Sequence, residues 1–105
     1  MSHPIVVSRN GVPIRLTDER WQHKMEEHAE LAGLRQEVLK AITNGERVLS
    51  GSAGELMAVR MIEPGKALVV VYREMNADDE FVITAFLTRR LRSLERRAQI
   101  WPTQA

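Results

Sequence analysis

Histidine, arginine and threonine are the residues of this 105-residue chain best suited to chemistry on a phosphate ester. An imidazole titrates near neutral pH and can both take and give a proton. A guanidinium pairs with phosphate oxygens through parallel hydrogen bonds, and a nearby hydroxyl can orient the group. Of the three histidines, His23 and His28 fall in a segment patterned as a helix. At about 100° per residue, Trp21, Met25 and His28 share one stripe. His28 is therefore expected on the inward face near the helix end, within reach of a sheet. The same position also suits a core histidine already bonded to main chain. His23 projects about 160° away from Trp21, among Glu26, Glu27 and Glu30, and His3 sits near the start of the chain.

Metal chemistry finds no support. The run from His23 to His28 is one residue longer than the His-x-x-Glu-His zinc pattern, and histidines five apart on a helix point in different directions. The chain has no cysteine, which excludes disulfides, thiolate zinc sites and cysteine nucleophiles. No metal and no cofactor are expected.

A candidate phosphate cradle comes from strand pairing. A turn over Glu63 to Lys66 makes Ile62 face Ala67 and Arg60 face Val69, so Arg60 shares a face with Val71 and Arg73. A second turn over Asn76 to Asp79 makes Val71 face Thr84. Arg60, Arg73 and Thr84 then line one face, with Thr88 further along it; a one-residue slip in the second turn sends Thr84 to the other face. The two arginines equally suit ion pairs with Glu74 or Glu55.

The elements that must hold these groups read as α+β. Ser8-Arg9-Asn10-Gly11 between apolar runs signals a hairpin, and Pro13 places that ribbon at an edge or outside the main sheet. Thr17-Asp18-Glu19 opens a first helix, and Ala32-Gly33 breaks the pattern. A second helix carries Leu34, Val38, Leu39 and Ile42 and stops at Asn44-Gly45, with Gly45 expected in the left-handed conformation. From Arg47 the period changes to two. Val48-Leu49, Leu56 to Ile62, Ala67 to Arg73 and Phe81 to Thr88 predict a four-stranded antiparallel sheet. Its third strand reads as central because Val69-Val70-Val71 is apolar on both sides. Leu91 and Leu94 suit a short docked helix, and Ile100-Trp101 an anchor. The expectation is one domain over residues 1–105: a hairpin over 1–16, two helices over 17–45, the sheet over 47–88 and a tail over 89–105.

Charge is uneven along the chain although the formal total is only +1. Thr17 to Glu37 holds six acids against three bases, a local balance of −3. Phe81 to Ala105 holds Arg89, Arg90, Arg92, Arg96 and Arg97 against Glu95 alone, a balance of +4. Such a tail suits phosphate or an acidic partner, and equally a solvated surface. Met1 to Val7 lacks a signal-peptide pattern, and the longest apolar run, Ala67 to Tyr72, falls well short of the ~20 residues that span a bilayer. A cytoplasmic protein with no membrane partner is expected.

Leu16 to His23, His28-Ala29-Glu30-Leu31, Ile42 to Val48 and Val82-Ile83-Thr84-Ala85-Phe86 together resemble the phage- and mobile-element-associated nuclease-like domains of the barnase–EndoU–colicin–RelE group. The resemblance covers roughly Ile14 to Arg90; the group's His-Pro-Glu reads His28-Ala29-Glu30, and Gly45 stands where proline often follows asparagine. It implies two helices followed by a four-stranded antiparallel sheet, and metal-independent cleavage of RNA by attack of the 2′-hydroxyl on the adjacent phosphorus. The positions matching the catalytic roles are His28 (or His23), Arg60 or Arg73, and Thr84. It also implies a toxin-type endoribonuclease with a protein inhibitor, an antitoxin, as partner. Two alternatives compete with it. One is a catalytically inert module that holds RNA or an acidic protein through the arginine-rich tail. The other is a homodimeric interaction protein joined through a Trp21/Trp101 patch.

Overall fold

The structure, a computed structural model, describes residues 5–51, 53–74 and 82–102. Strands β1 (Ile5–Val7) and β2 (Pro13–Arg15) pair with each other alone. Gly11 takes φ +80° at the turn between them, where the Gly11 amide donates to the Ser8 carbonyl. Pro13 lacks a backbone donor, and its strand lies outside the main sheet as its chemistry requires.

Helix α1 (Asp18–Glu27) begins with two acids at the positive end of its dipole, and the Trp21 amide donates to the Thr17 carbonyl. A 3₁₀ turn over Ala29–Leu31 follows, and Gly33 at φ +79° redirects the chain. Helix α2 (Arg35–Asn44) buries Val38, Leu39, Ala41 and Ile42, the stripe its spacing predicts. Its end corrects the expectation for Gly45, which has φ −59° and ψ 150° instead of a left-handed backbone. The chain leaves the helix directly into a strand, so no αL residue is needed.

Strands β3 (Arg47–Ser50), β4 (Leu56–Glu63), β5 (Lys66–Tyr72) and β6 (Val82–Thr88) form the antiparallel meander. Strand β5 pairs on both sides and is buried along most of its length, as its valine run predicts. The expected turn Asn76 to Asp79 lies outside the described residues. After β6, the chain forms helix α3 (Leu91–Glu95) and then β7 (Gln99–Trp101).

Here the four-stranded expectation is corrected. Strand β7 pairs antiparallel with β3, giving five strands in the order β6-β5-β4-β3-β7. The Ser50 amide donates to the Ala98 carbonyl at 2.8 Å, and the Arg9 guanidinium stacks over the Trp101 ring at 3.8 Å. A backbone pairing and a cation–π contact from a distant hairpin hold the tail in the sheet.

Both faces of the sheet are covered. On one, Ala58, Leu68, Val70 and Tyr72 pack against Val38 and Ile42 of α2, Leu31 of the 3₁₀ turn, and Ile14 and Leu16. On the other, Leu49, Met57, Val59, Ala67 and Val69 pack against Leu94 of α3, with Leu91 and Phe86 beside them. Five residues make too short a helix to stand alone in water, so α3 depends on burial of Leu94. Among the described residues no helix is long and apolar enough to cross a membrane.

Candidate functional site

The sheet register decides which predicted groups meet. Pro64-Gly65 makes a two-residue turn with Gly65 at φ +80°, and Glu63 faces Lys66. A bulge between Met61 and Glu63 then shifts the pairing by one, so that Arg60 faces Leu68 and Val59 faces Val69. A one-residue shift sends every later side chain to the opposite face. Arg60 therefore projects on the face covered by α1 and α2, where its Nε donates to Glu37 Oε2 at 2.7 Å.

Arg73 and Thr84 belong to the face covered by α3. Val71 pairs with Thr84 as the spacing predicts. Arg73 lies 3.7 Å from Glu55 Oε2 and donates to the Ala53 carbonyl. Thr88 shares this face with Thr84, and its hydroxyl accepts from the Arg90 amide at 3.0 Å ahead of α3. The expected row of Arg60, Arg73 and Thr84 is thus split between two faces.

His28 is likewise displaced from its expected stripe. Helix α1 ends at Glu27, and His28 has φ −134° and ψ 76°. The side chain is about one-third exposed, with Nδ1 at 3.2 Å from Glu30 Oε1. It is neither a core histidine nor a neighbour of the α3-side groups. His23 pairs with Glu27 one turn away at 3.1 Å and is well exposed. His28 thus sits on the helix side, while Arg73 and Thr84 lie across the sheet.

The Arg60–Glu37 pair joins β4 to α2. The hydrogen bond from Arg60 holds the Glu37 carboxyl below its ordinary range, against the opposing effect of burial. A depressed carboxyl contributes stability above its unfolded pKa and loses it as pH falls through the folded value. Glu37→Gln is therefore expected to cost more stability at about pH 7 than at about pH 3. Urea unfolding of both proteins at the two pH values checks this, and an equal cost at each would show that the pair does not shift Glu37.

The arginine-rich segment is where positive charge remains uncompensated. Arg89 pairs with Glu63 at 2.9 Å. Among the described residues, Arg90, Arg92, Arg96 and Arg97 are exposed and have no ion-pair partner. Arg47 joins them: on β3 it faces Val59 and so projects on the α3 side, also without a partner among the described residues. Its strand position carried no signal in the sequence, because the fifth strand that brings the tail beside β3 was not expected. Arg47 and Arg97 line a cavity of about 270 Å³ with Leu49 and Leu94.

The apolar patch expected from the two tryptophans does not form an open face. Trp21 is half-buried against the helix-side core, and Trp101 is half-buried with Arg9 stacked on it. Among the described residues, no three carboxylate or imidazole side chains gather as metal ligands. No family model, curated protein or solved structure matches this chain.

Proposed function

We propose that this chain binds single-stranded RNA through the arginine surface around α3. The supporting observation is the set of four exposed guanidiniums, Arg90, Arg92, Arg96 and Arg97, carried on and around one short helix and without an ion-pair partner among the described residues. A chain of formal charge +1 has little long-range attraction for a polyanion, so binding must be local to this surface. Arginine suits the task because its planar fork meets phosphate oxygens bidentately and stacks on exposed bases. RNA is the nucleic acid implied by the sequence resemblance.

Fluorescence anisotropy with a labelled single-stranded RNA tests the reading. Neutralising three or four phosphates on a single strand gives a log–log salt slope of about −2 to −3. The double variant Arg90→Glu/Arg92→Glu is expected to weaken binding at least about tenfold, while His28→Ala leaves it unchanged. Affinity that ignores both salt and the charge reversal would overturn the reading.

A second reading, metal-independent cleavage, is favoured by one contact. With Nδ1 of His28 held by Glu30, Nε2 is the nitrogen left to move a proton. The same RNA incubated with the protein in EDTA separates the two readings. Intact RNA supports a binding module; products with cyclic phosphate ends, lost in His28→Ala, support the enzyme.

A further inference from the structure

The two edges of the five-stranded sheet are protected unequally. An edge strand presents a row of unpaired amides and carbonyls, and proteins blunt it with short length, charge or proline. Strand β7 has two of these devices, being three residues long and followed at once by Pro102. Strand β6 is seven residues long, and Val82–Thr88 contains neither a charged residue nor a proline. An irregularity near Val82 interrupts its start, but Thr84 to Thr88 pairs with β5 without a break. Among the described residues, no turn or loop backbone is hydrogen-bonded to its outer side. Ala85 is buried on the helix side with Leu31. On the other side Thr84, Phe86 and Thr88 are only half-buried, because α3 packs over the middle of the sheet.

We infer that β6 is the interface of a two-fold symmetric homodimer, in which the strands of two copies pair antiparallel about Phe86. Phe86 then faces Phe86 of the partner subunit, Thr84 faces the partner's Thr88, and Ala85 faces the partner's Leu87. Aromatic and threonine pairs of this kind are favourable cross-strand neighbours, and the whole regular stretch is used. Charge along the sequence selects the antiparallel sense. Asp78-Asp79-Glu80 precedes β6 and Arg89-Arg90 follows it. Antiparallel pairing sets the start of one strand beside the end of the other, opposite in charge, whereas parallel pairing would set like beside like.

Closure identifies the occupant as a second copy of this chain. Joined β6 edges leave only the two blunted β7 edges exposed, so assembly stops at two, as a self-complementary two-fold interface does. The two-fold axis between antiparallel strands stands perpendicular to the sheet and keeps each face on its own side. Two five-stranded sheets therefore become one, with both α3 surfaces on the same face. The inference rests on the edge alone and is independent of the RNA reading.

Sedimentation equilibrium of the full chain over a wide dilution series, without RNA, is expected to show reversible dimerisation. Two double variants test the edge and its register. Thr84→Glu/Thr88→Glu and Thr84→Lys/Thr88→Lys each set like charges opposite one another at both ends of the paired stretch. Each alone is expected to weaken dimerisation at least about tenfold. An equimolar mixture of the two should restore the dimer, because every such pair is then of opposite charge. Thermal melts establish that both variants are folded. Amide hydrogen exchange of the wild type reads the same edge without substitution: outward-facing β6 amides should gain protection as concentration rises, and β7 amides should not.

A wild type that stays monomeric at every concentration overturns the dimer. A dimer that neither double variant weakens, or β6 amides indifferent to concentration, overturns β6 as its interface. Folded variants whose mixture stays monomeric overturn the antiparallel register about Phe86.

Discussion

Gly45→Ala is expected to lower stability by about 2–3 kcal/mol, the range of an overpacked core position. The reason is space and not backbone freedom. At φ −59° and ψ 150° any L-residue is comfortable. A Cβ added there, however, would stand 2.5 Å from the Ala41 carbonyl oxygen and 3.0 Å from that of Val59. Neither oxygen can step aside. The Ala41 carbonyl accepts from the Gly45 amide, and the Val59 carbonyl accepts from the Glu46 amide, each at 2.9 Å. Making room therefore means moving the last turn of α2 away from β4. Arg9 adds a third constraint by donating to the Gly45 carbonyl at 3.0 Å. A loss of this size lowers the thermal midpoint by roughly 10 °C. Gly45→Asn discriminates between the two accounts of this glycine, because asparagine is the best-tolerated replacement at a left-handed helix end but carries the same Cβ. Both variants should melt early; an asparagine variant as stable as the wild type would contradict the contact geometry.

Gly45 also shows what the sequence carried and what it did not. Local signals were legible where one short window contains the cause. Asn10-Gly11 turns the hairpin, Asp18-Glu19 starts α1, and the Val38/Ile42 spacing fixes the buried side of α2. The Val69-Val70-Val71 run gives a strand flanked on both sides. Relations between windows were not legible. A single bulge beside Ile62 moves Arg60 to the other face, and nothing in Arg60-Met61-Ile62-Glu63 announces it. The fifth strand depends on Arg9 reaching Trp101 and Ala98 reaching Ser50, partners far apart in the sequence. For His28, ending the helix one residue early turned an inward side chain into one about a third exposed. The candidate site inherits this pattern. The arginines of the tail were visible as composition, whereas the Arg47 and Arg97 cavity exists only once β7 is laid beside β3.

Tyr72→Phe is expected to stabilise the protein by about 1 kcal/mol, raising the thermal midpoint by roughly 5 °C. Tyr72 ends β5 opposite Leu56 and Val82 and is fully buried in the helix-side core. Its ring packs there, but its hydroxyl has no hydrogen-bond partner among the described residues. An orphaned buried hydroxyl costs about 1–3 kcal/mol, and phenylalanine keeps the ring while removing that cost. Burial, with the nearby Glu74 charge adding to it, pushes the phenol well above its ordinary value of 10.0. Glu74 is fixed in place by donors from Ser8 and Asn10, so its charge cannot swing away. A group whose pKa is raised by folding gives stability that is intact below the unfolded value and lost as pH rises towards the folded one. The wild type should thus weaken above about pH 10, and the advantage of Tyr72→Phe should widen over that range. Because this is the only tyrosine in the chain, ultraviolet difference absorbance follows its ionisation directly, folded and in denaturant. A titration near the ordinary value in the folded protein, or a phenylalanine variant less stable than the wild type by about 1 kcal/mol, would show that the hydroxyl has a partner after all.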